Sequence, residues 1–245
     1  MKLLNVCFII FIFLASPLGA DEGNSGFSLN FSNKEDITSV MKILLFMTLL
    51  SLLPAILFSM TCFTRIIIVL SFARQAFGVP SLPPSPVLIG LALFLTTFVM
   101  TPVWEKVYSN AYIPYQNKSI QTQEAAERTL IEFRKFMFAH TREKDLALML
   151  YLAKKDPSRP EEISSLVLIP AFILSELTIA FQMGLLILLP FLIIDIVVAS
   201  TLLSMGMMML PPTAVSIPFK VLLFILVDGW HLVVKTLIVS YGEIS

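Results

Sequence analysis

The sequence predicts an all-α, membrane-associated protein, and three observations carry that prediction. The composition is 57% hydrophobic and only 14% charged, whereas soluble domains run about 45–50% apolar and about 25% charged. Several apolar runs are long enough to cross a hydrocarbon layer of ~30 Å as helices. The charges are also segregated. Residues 105–165 hold ten basic and nine acidic side chains, more than half of the chain's total, while the long apolar runs hold very few. Most of the chain therefore expects lipid-like surroundings, with one water-facing helical module in its middle.

The balance of 17 basic and 17 acidic residues offers no basic face for nucleic acid, so no nucleic-acid partner is expected. Of the two cysteines, Cys7 falls in a predicted removable segment. Cys62 is left alone, unable to form an internal disulfide or a cysteine metal site. A small buried apolar side chain is its expected role.

In chain order, residues 1–20 read as a secretory signal peptide. Lys2 is the positive start, Leu3 to Leu14 is apolar apart from Asn5, and Ala15 to Ala20 supplies a break and a small residue for cleavage after Ala20. As a retained membrane helix this core would fall short of the ~20 residues a span needs. Residues 21–39 form a Gly-, Ser- and Asn-rich leader. Residues 40–104 form a first helical hairpin. Its first arm, Met41 to Ala73, contains Pro54, which should kink a helix there. Arg65 lies inside the same arm. It must either face protein or water, or snorkel to the interface. Gly78 to Pro86 is an uncharged Pro-rich turn, and Val87 to Val103 is the returning arm.

Residues 105–165 are the charged module, expected on the periplasmic side with the mature N-terminus. That orientation puts Arg65 and Arg74 on the inner side, in line with the positive-inside rule. A helix is expected over Ser119–Phe138, with Leu130, Phe133 and Met137 on one face. A second should be capped by Thr141, with Leu146, Met149, Leu150 and Ala153 inward. Asp156-Pro157 should end it. Residues 166–245 form a second hairpin. Its arms run from Ser165 to Leu203, too long for one straight span, and from Val215 to Val239. Glu176, Asp195, Lys220 and Asp228 are ionisable residues within apolar runs, and each is a functional candidate or half of an ion pair that sets helix register. Glu176 and Lys220 are natural partners in sign. Spacing leaves open whether they meet within a chain or across subunits.

Between the two arms lies the loop 205–212, Met205-Gly206-Met207-Met208-Met209-Leu210-Pro211-Pro212, with four of the chain's 12 methionines. Methionine is flexible and polarizable and packs without demanding one shape. The run suits either core packing at a helix end or a surface that closes on something variable. Met205, nearest the helix, is assigned to packing.

No enzyme constellation is present: HExxH, GxSxG, GxxxxGK[ST] and GxGxxG are all missing. The chain is read as a non-enzyme without catalytic, cofactor-binding or metal residues. His140 is expected exposed at a helix junction and His231 interfacial beside Trp230, neither with a metal-ligating neighbour.

Two blocks carry a resemblance. Pro170-Ala171-Phe172-Ile173-Leu174-Ser175-Glu176-Leu177-Thr178-Ile179-Ala180-Phe181-Gln182-Met183-Gly184 is similar to one signature of the FliP family. Pro218-Phe219-Lys220-Val221-Leu222-Leu223-Phe224-Ile225-Leu226-Val227-Asp228-Gly229-Trp230 resembles its second. Gly206 to Pro212 between them is similar to the family's methionine loop.

The resemblance implies a core subunit of the bacterial flagellar type III export gate, with relatives in injectisomes, in the inner membrane at the flagellar basal body. It implies several copies assembled with two smaller membrane proteins of the same gate into a helical cone. Unfolded flagellar subunits would pass through that cone, and its helices would pack largely on one another. Met207, Met208 and Met209 would form the pore gasket. Gly206, Pro211 and Pro212 would shape its loop, and Glu176 and Lys220 would pair between subunits. A competing reading is a small-solute secondary transporter with Glu176, Asp195 and Asp228 as coupling sites.

Overall fold

The computed structural model describes residues 58–79, 82–154, 162–207 and 209–242, and nine positions between Met41 and Ala55. The predicted signal peptide, cleavage at Ala20, the leader 21–39 and Met208 lie outside the described residues. The chain divides into two units, Met1–Leu50 and Ser51–Ser245. In the first, Met41, Leu44, Leu45, Met47 and Thr48 are helical and exposed. The second carries the architecture below, and every described element in it is helical.

Pro54 and Ala55 are helical, and the helix breaks at Met60–Cys62. The Thr61 hydroxyl causes it. It donates to the Phe58 carbonyl and accepts from the Phe63 N–H, which offers the backbone an alternative to continued helix. Helix α1 (Phe63–Ala76) follows and turns Ile66, Val69, Leu70 and Ala73 inward at i, i+3, i+4 and i+7. Gly78 takes φ +73° in the turn, a conformation that costs glycine little. Helix α2 (Ser85–Val99) buries Leu88, Ala92, Leu95, Thr96 and Val99.

The returning arm Val87–Val103 is bent by 56° at Met100. Pro102, in the first turn of α3 (Thr101–Val107), has no N–H to continue the ladder and would crowd the Phe98 carbonyl. A π-helical turn, Tyr108–Tyr112, leads into α4 (Ile113–Gln116).

The module's main helices are α5 (Thr122–His140) and α6 (Glu143–Leu152). Thr141 does not cap α6. Its hydroxyl donates back to the Met137 carbonyl, and Arg142 is the N-cap. The module does not stand apart from the apolar helices. Phe133, Phe136 and Met137 join one buried cluster with Ile66, Leu70, Met100, Leu168 and Phe172, and Leu146, Met149 and Leu150 pack on it. Two carboxylates hold the module, Glu132 by bonds within it and Asp145 by one that reaches Ser175 outside it. The hydrogen bond from Lys135 holds the Glu132 carboxyl below the usual glutamate value despite burial. At Asp145, burial opposes the charge, but hydrogen bonds from Arg142 and Ser175 outweigh it and keep the carboxyl below the usual aspartate value.

Helix α7 (Ser165–Ser204) is continuous for 40 residues, with Pro170 and Pro190 inside it. At 1.5 Å per residue it is ~60 Å long. Ser164 caps it by accepting from the Leu166 N–H. The main core covers its first half, and beyond Gly184 only a small cluster of Ala76, Phe191 and Phe224 continues.

The last arm, expected as one run from Val215 to Val239, is two helices bent by 60°: α8 (Pro212–Leu226) and α9 (Gly229–Val239). Asp228 sits at φ +50° between them, and a Cβ on Gly229 would lie 2.2 Å from the Phe224 ring. Only glycine allows that approach. Among the described residues α7 is long and apolar enough to cross a membrane, and up to three spans result if each bent pair counts as one.

Candidate functional site: a methionine-tipped hairpin and two buried ion pairs

The end of α7 explains half of the methionine run. Met205 is the C-cap, Gly206 takes φ +75°, and the Met207 N–H returns to the Leu202 carbonyl while the Gly206 N–H reaches that of Leu203. This is a Schellman stop, which needs a left-handed residue just after the cap. Pro211 and Pro212 set the other side, with Pro212 as the first residue of α8, where its missing N–H costs nothing. The chain thus reverses within a few residues and presents methionine at the tip. Met209 is 98% exposed, and Met207 is also exposed. Met205, assigned to helix packing, is exposed too: it is the C-cap at the end of α7, and no described element covers it.

Below the tip, α7 and α8 are joined by one polar contact. Asp195 accepts from the Ser216 hydroxyl and the Lys220 ammonium, both at 2.6 Å. Ser216 and Lys220 are buried, and their i, i+4 spacing points both at one carboxylate. Above the pair an apolar groove of about 460 Å³ runs between the helices, lined by Ile193, Val197, Thr201, Leu202, Val215 and Phe219 among others. The flanks are apolar and open: Leu186, Ile193 and Ile196 on α7, and Leu222, Ile225 and Leu226 on α8, are all exposed.

The second pair is deeper. Arg65 is 2% exposed and Glu176 fully buried. The guanidinium forks onto the carboxylate, Nε to Oε2 at 2.9 Å and Nη2 to Oε1 at 2.5 Å. Tyr241 donates its hydroxyl to Glu176 Oε2 at 2.5 Å, and its ring centroid lies 3.9 Å from the guanidinium carbon. Arg65 Nη1 also donates to the Ser240 hydroxyl at 3.0 Å. His140 faces the same corner, Nε2 3.3 Å from the Tyr241 carbonyl and Nδ1 2.8 Å from that of Phe136. It sits at the expected junction but half-buried, since Phe136 and Tyr241 pack against its ring. His231 is exposed.

Within the chain, then, the structure does not bring Glu176 and Lys220 together. Each has another partner, because α1 packs along the first half of α7 and α8 along the second. Arg65 faces protein and does not snorkel. The part played by Tyr241 and by Ser216 carries no signal in spacing: one lies 65 residues from its partner and the other 21. No three His, Cys, Asp or Glu side chains converge among the described residues.

A family model described as the FliP family matches residues 46–237, a stretch that spans both ion pairs and the methionine hairpin. The chain belongs to the FliP family. It is 51% identical over 211 residues to the flagellar biosynthetic protein FliP of Bacillus subtilis (strain 168), covering 86% of this chain and 96% of that protein. It is 51% identical over 205 residues to the protein of the same name from Pectobacterium carotovorum subsp. carotovorum, covering 83% and 80%. With that from Aquifex aeolicus (strain VF5) it shares 46% over 209 residues, covering 84% and 87%. FliP membership and the apolar α7 together make this a membrane-associated flagellar protein.

Proposed function

We propose that the chain is a core, channel-forming subunit of the flagellar type III export gate, through which unfolded flagellar subunits leave across the inner membrane. Several copies would assemble with two smaller membrane proteins of the gate, with the module on the periplasmic side. The observation that carries this reading is the hairpin. An exposed methionine tip stands on two helices whose flanks are apolar and uncovered by the rest of the chain. Copies packed flank to flank would converge their tips. A ring of Met207, Met208 and Met209 then seals against ions by dewetting and yields to a passing chain.

The transporter reading loses ground because two of its three candidate coupling acids, Glu176 and Asp195, are committed to cations of the same chain. The test is to replace Met207, Met208 and Met209 together with alanine in the assembled gate. Ion conductance of the resting gate should rise. Unchanged permeability with normal export removes the gasket.

A further inference from the structure

A second surface lies away from the hairpin, on the α2–α3–α4 arm. The outer face of α2 is mostly apolar, with Val87, Phe94 and Phe98 exposed, Phe94 to 78%, and Ser85 and Thr97 as its exposed polar side chains. Past the bend, Tyr108, Tyr112 and Tyr115 are all exposed, each about one helical turn from the next. Tyr108 and Tyr112 stack with centroids 5.3 Å apart. The four-residue step between them falls within the π-helical turn. Their hydroxyls have no partner among the described residues. Trp104 is not part of this stripe, as it packs inward on Phe133.

Along the arm the exposed chemistry thus runs from hydrocarbon-like at Phe98, through the charge of Glu105 and Lys106, to tyrosine and then Lys118. Tyrosine, an apolar ring with one polar end, concentrates where hydrocarbon meets headgroups. Lysine complements the phosphates there. The bend fits the same site. Seven residues of helix span ~10 Å. At 56° to α2 only ~6 Å of that lies along the α2 axis, so the bend roughly halves the depth gained between Tyr108 and Tyr115 and keeps the three rings closer to one level than a straight helix would.

We propose that the α2–α3–α4 arm is a lipid-interface anchor, with α2 against acyl chains and Tyr108, Tyr112 and Tyr115 at headgroup depth. The gradient sets α2 with its Phe98 end outermost and places the hydrocarbon boundary between Phe98 and Glu105.

The test uses the full chain in phosphatidylcholine–phosphatidylglycerol vesicles. Cys7 is replaced by serine, so an introduced thiol is the only one besides buried Cys62. Spin labels are placed singly by Phe94→Cys, Tyr108→Cys, Tyr112→Cys, Tyr115→Cys and Lys118→Cys, and collision with oxygen is compared with collision with a water-soluble nickel chelate. Oxygen should dominate at 94 and nickel at 118. The three tyrosine positions should fall between them, within ~6 Å of one another in depth. Labels at 108–115 shielded from both reagents mean a protein partner covers the stripe, and equal aqueous exposure at 94 and 118 means no lipid contact. Either result overturns the anchor. Because each variant changes one exposed side chain, a fold defect would show as loss of the sharp 94-to-118 contrast together with a changed helical spectrum. An unchanged spectrum with no contrast refutes the proposal outright.

Discussion

Replacing Glu176 with alanine strips Arg65 of its carboxylate in a site with almost no access to water. The guanidinium keeps Ser240 and the Tyr241 ring, but neither neutralises it. Removing one partner of a buried pair costs about 3–5 kcal/mol, because the other charge stays desolvated and uncompensated. Tyr241 also loses its short bond to the carboxylate and keeps only the Cys62 carbonyl at 3.5 Å, a further cost of about 1 kcal/mol. At ~2–4 °C per kcal/mol for a chain of this size, a loss of about 4 kcal/mol lowers the melting temperature of the detergent-solubilised protein by roughly 8–16 °C.

The double replacement Arg65→Met with Glu176→Leu removes both charges and should recover a large part of the loss, because Ser240 keeps the Leu237 carbonyl and Tyr241 the Cys62 carbonyl as acceptors. Circular dichroism against temperature on the wild type, both single variants and the double variant reads this cycle. If Glu176→Ala melts within 2 °C of wild type, or if the double variant is no more stable than the single ones, the pair does not bind α1 to α7 as argued. The same cycle separates an intrachain role from one between subunits, since only the intrachain role lowers the stability of the unassembled chain.

Three further outcomes follow. Gly229→Ala drives a Cβ into the Phe224 ring at 2.2 Å and should cost about 1–3 kcal/mol through forced repacking, visible as a lower melting temperature. Gly184→Ala meets the Phe72 ring at the same distance and should behave alike, whereas Gly90→Ala, with open space around it, should be neutral or slightly stabilising. Glu132 and Asp145 have lowered folded-state values. Their contribution is therefore present above the unfolded values, 4.5 and 3.8, and is lost as pH falls through the lowered ones. Melting temperature should be insensitive to these groups at neutral pH and fall on acidification. Glu132→Gln and Asp145→Asn should flatten that acid limb, and curves parallel to wild type would show that the two carboxylates do not pin the module.

Much of this architecture is legible in the chain itself. Apolar runs locate the helices because membrane-like helices are fixed by local composition. Gly206 and Pro211-Pro212 locate the turn because a left-handed cap and a helix start are properties of a few adjacent residues. Arg65, Glu176, Lys220 and Asp195 announce themselves as charges in apolar runs.

What the sequence does not carry is their pairing. Arg65 and Glu176 are 111 residues apart, and opposite sign alone made Lys220 an equally good partner. Only the packing of α1 on the first half of α7, and of α8 on the second, sorts four charges into two pairs. The bends at Met100 and Asp228 are tertiary in the same sense, since Pro102 and Gly229 permit a break but buried neighbours set its direction. The sequence by itself determined which residues must be helical, turned or charged, because those are local and short-range demands. The tertiary structure alone decided which of them meet, because contacts between distant segments depend on how helix faces pack, which no spacing along the chain records.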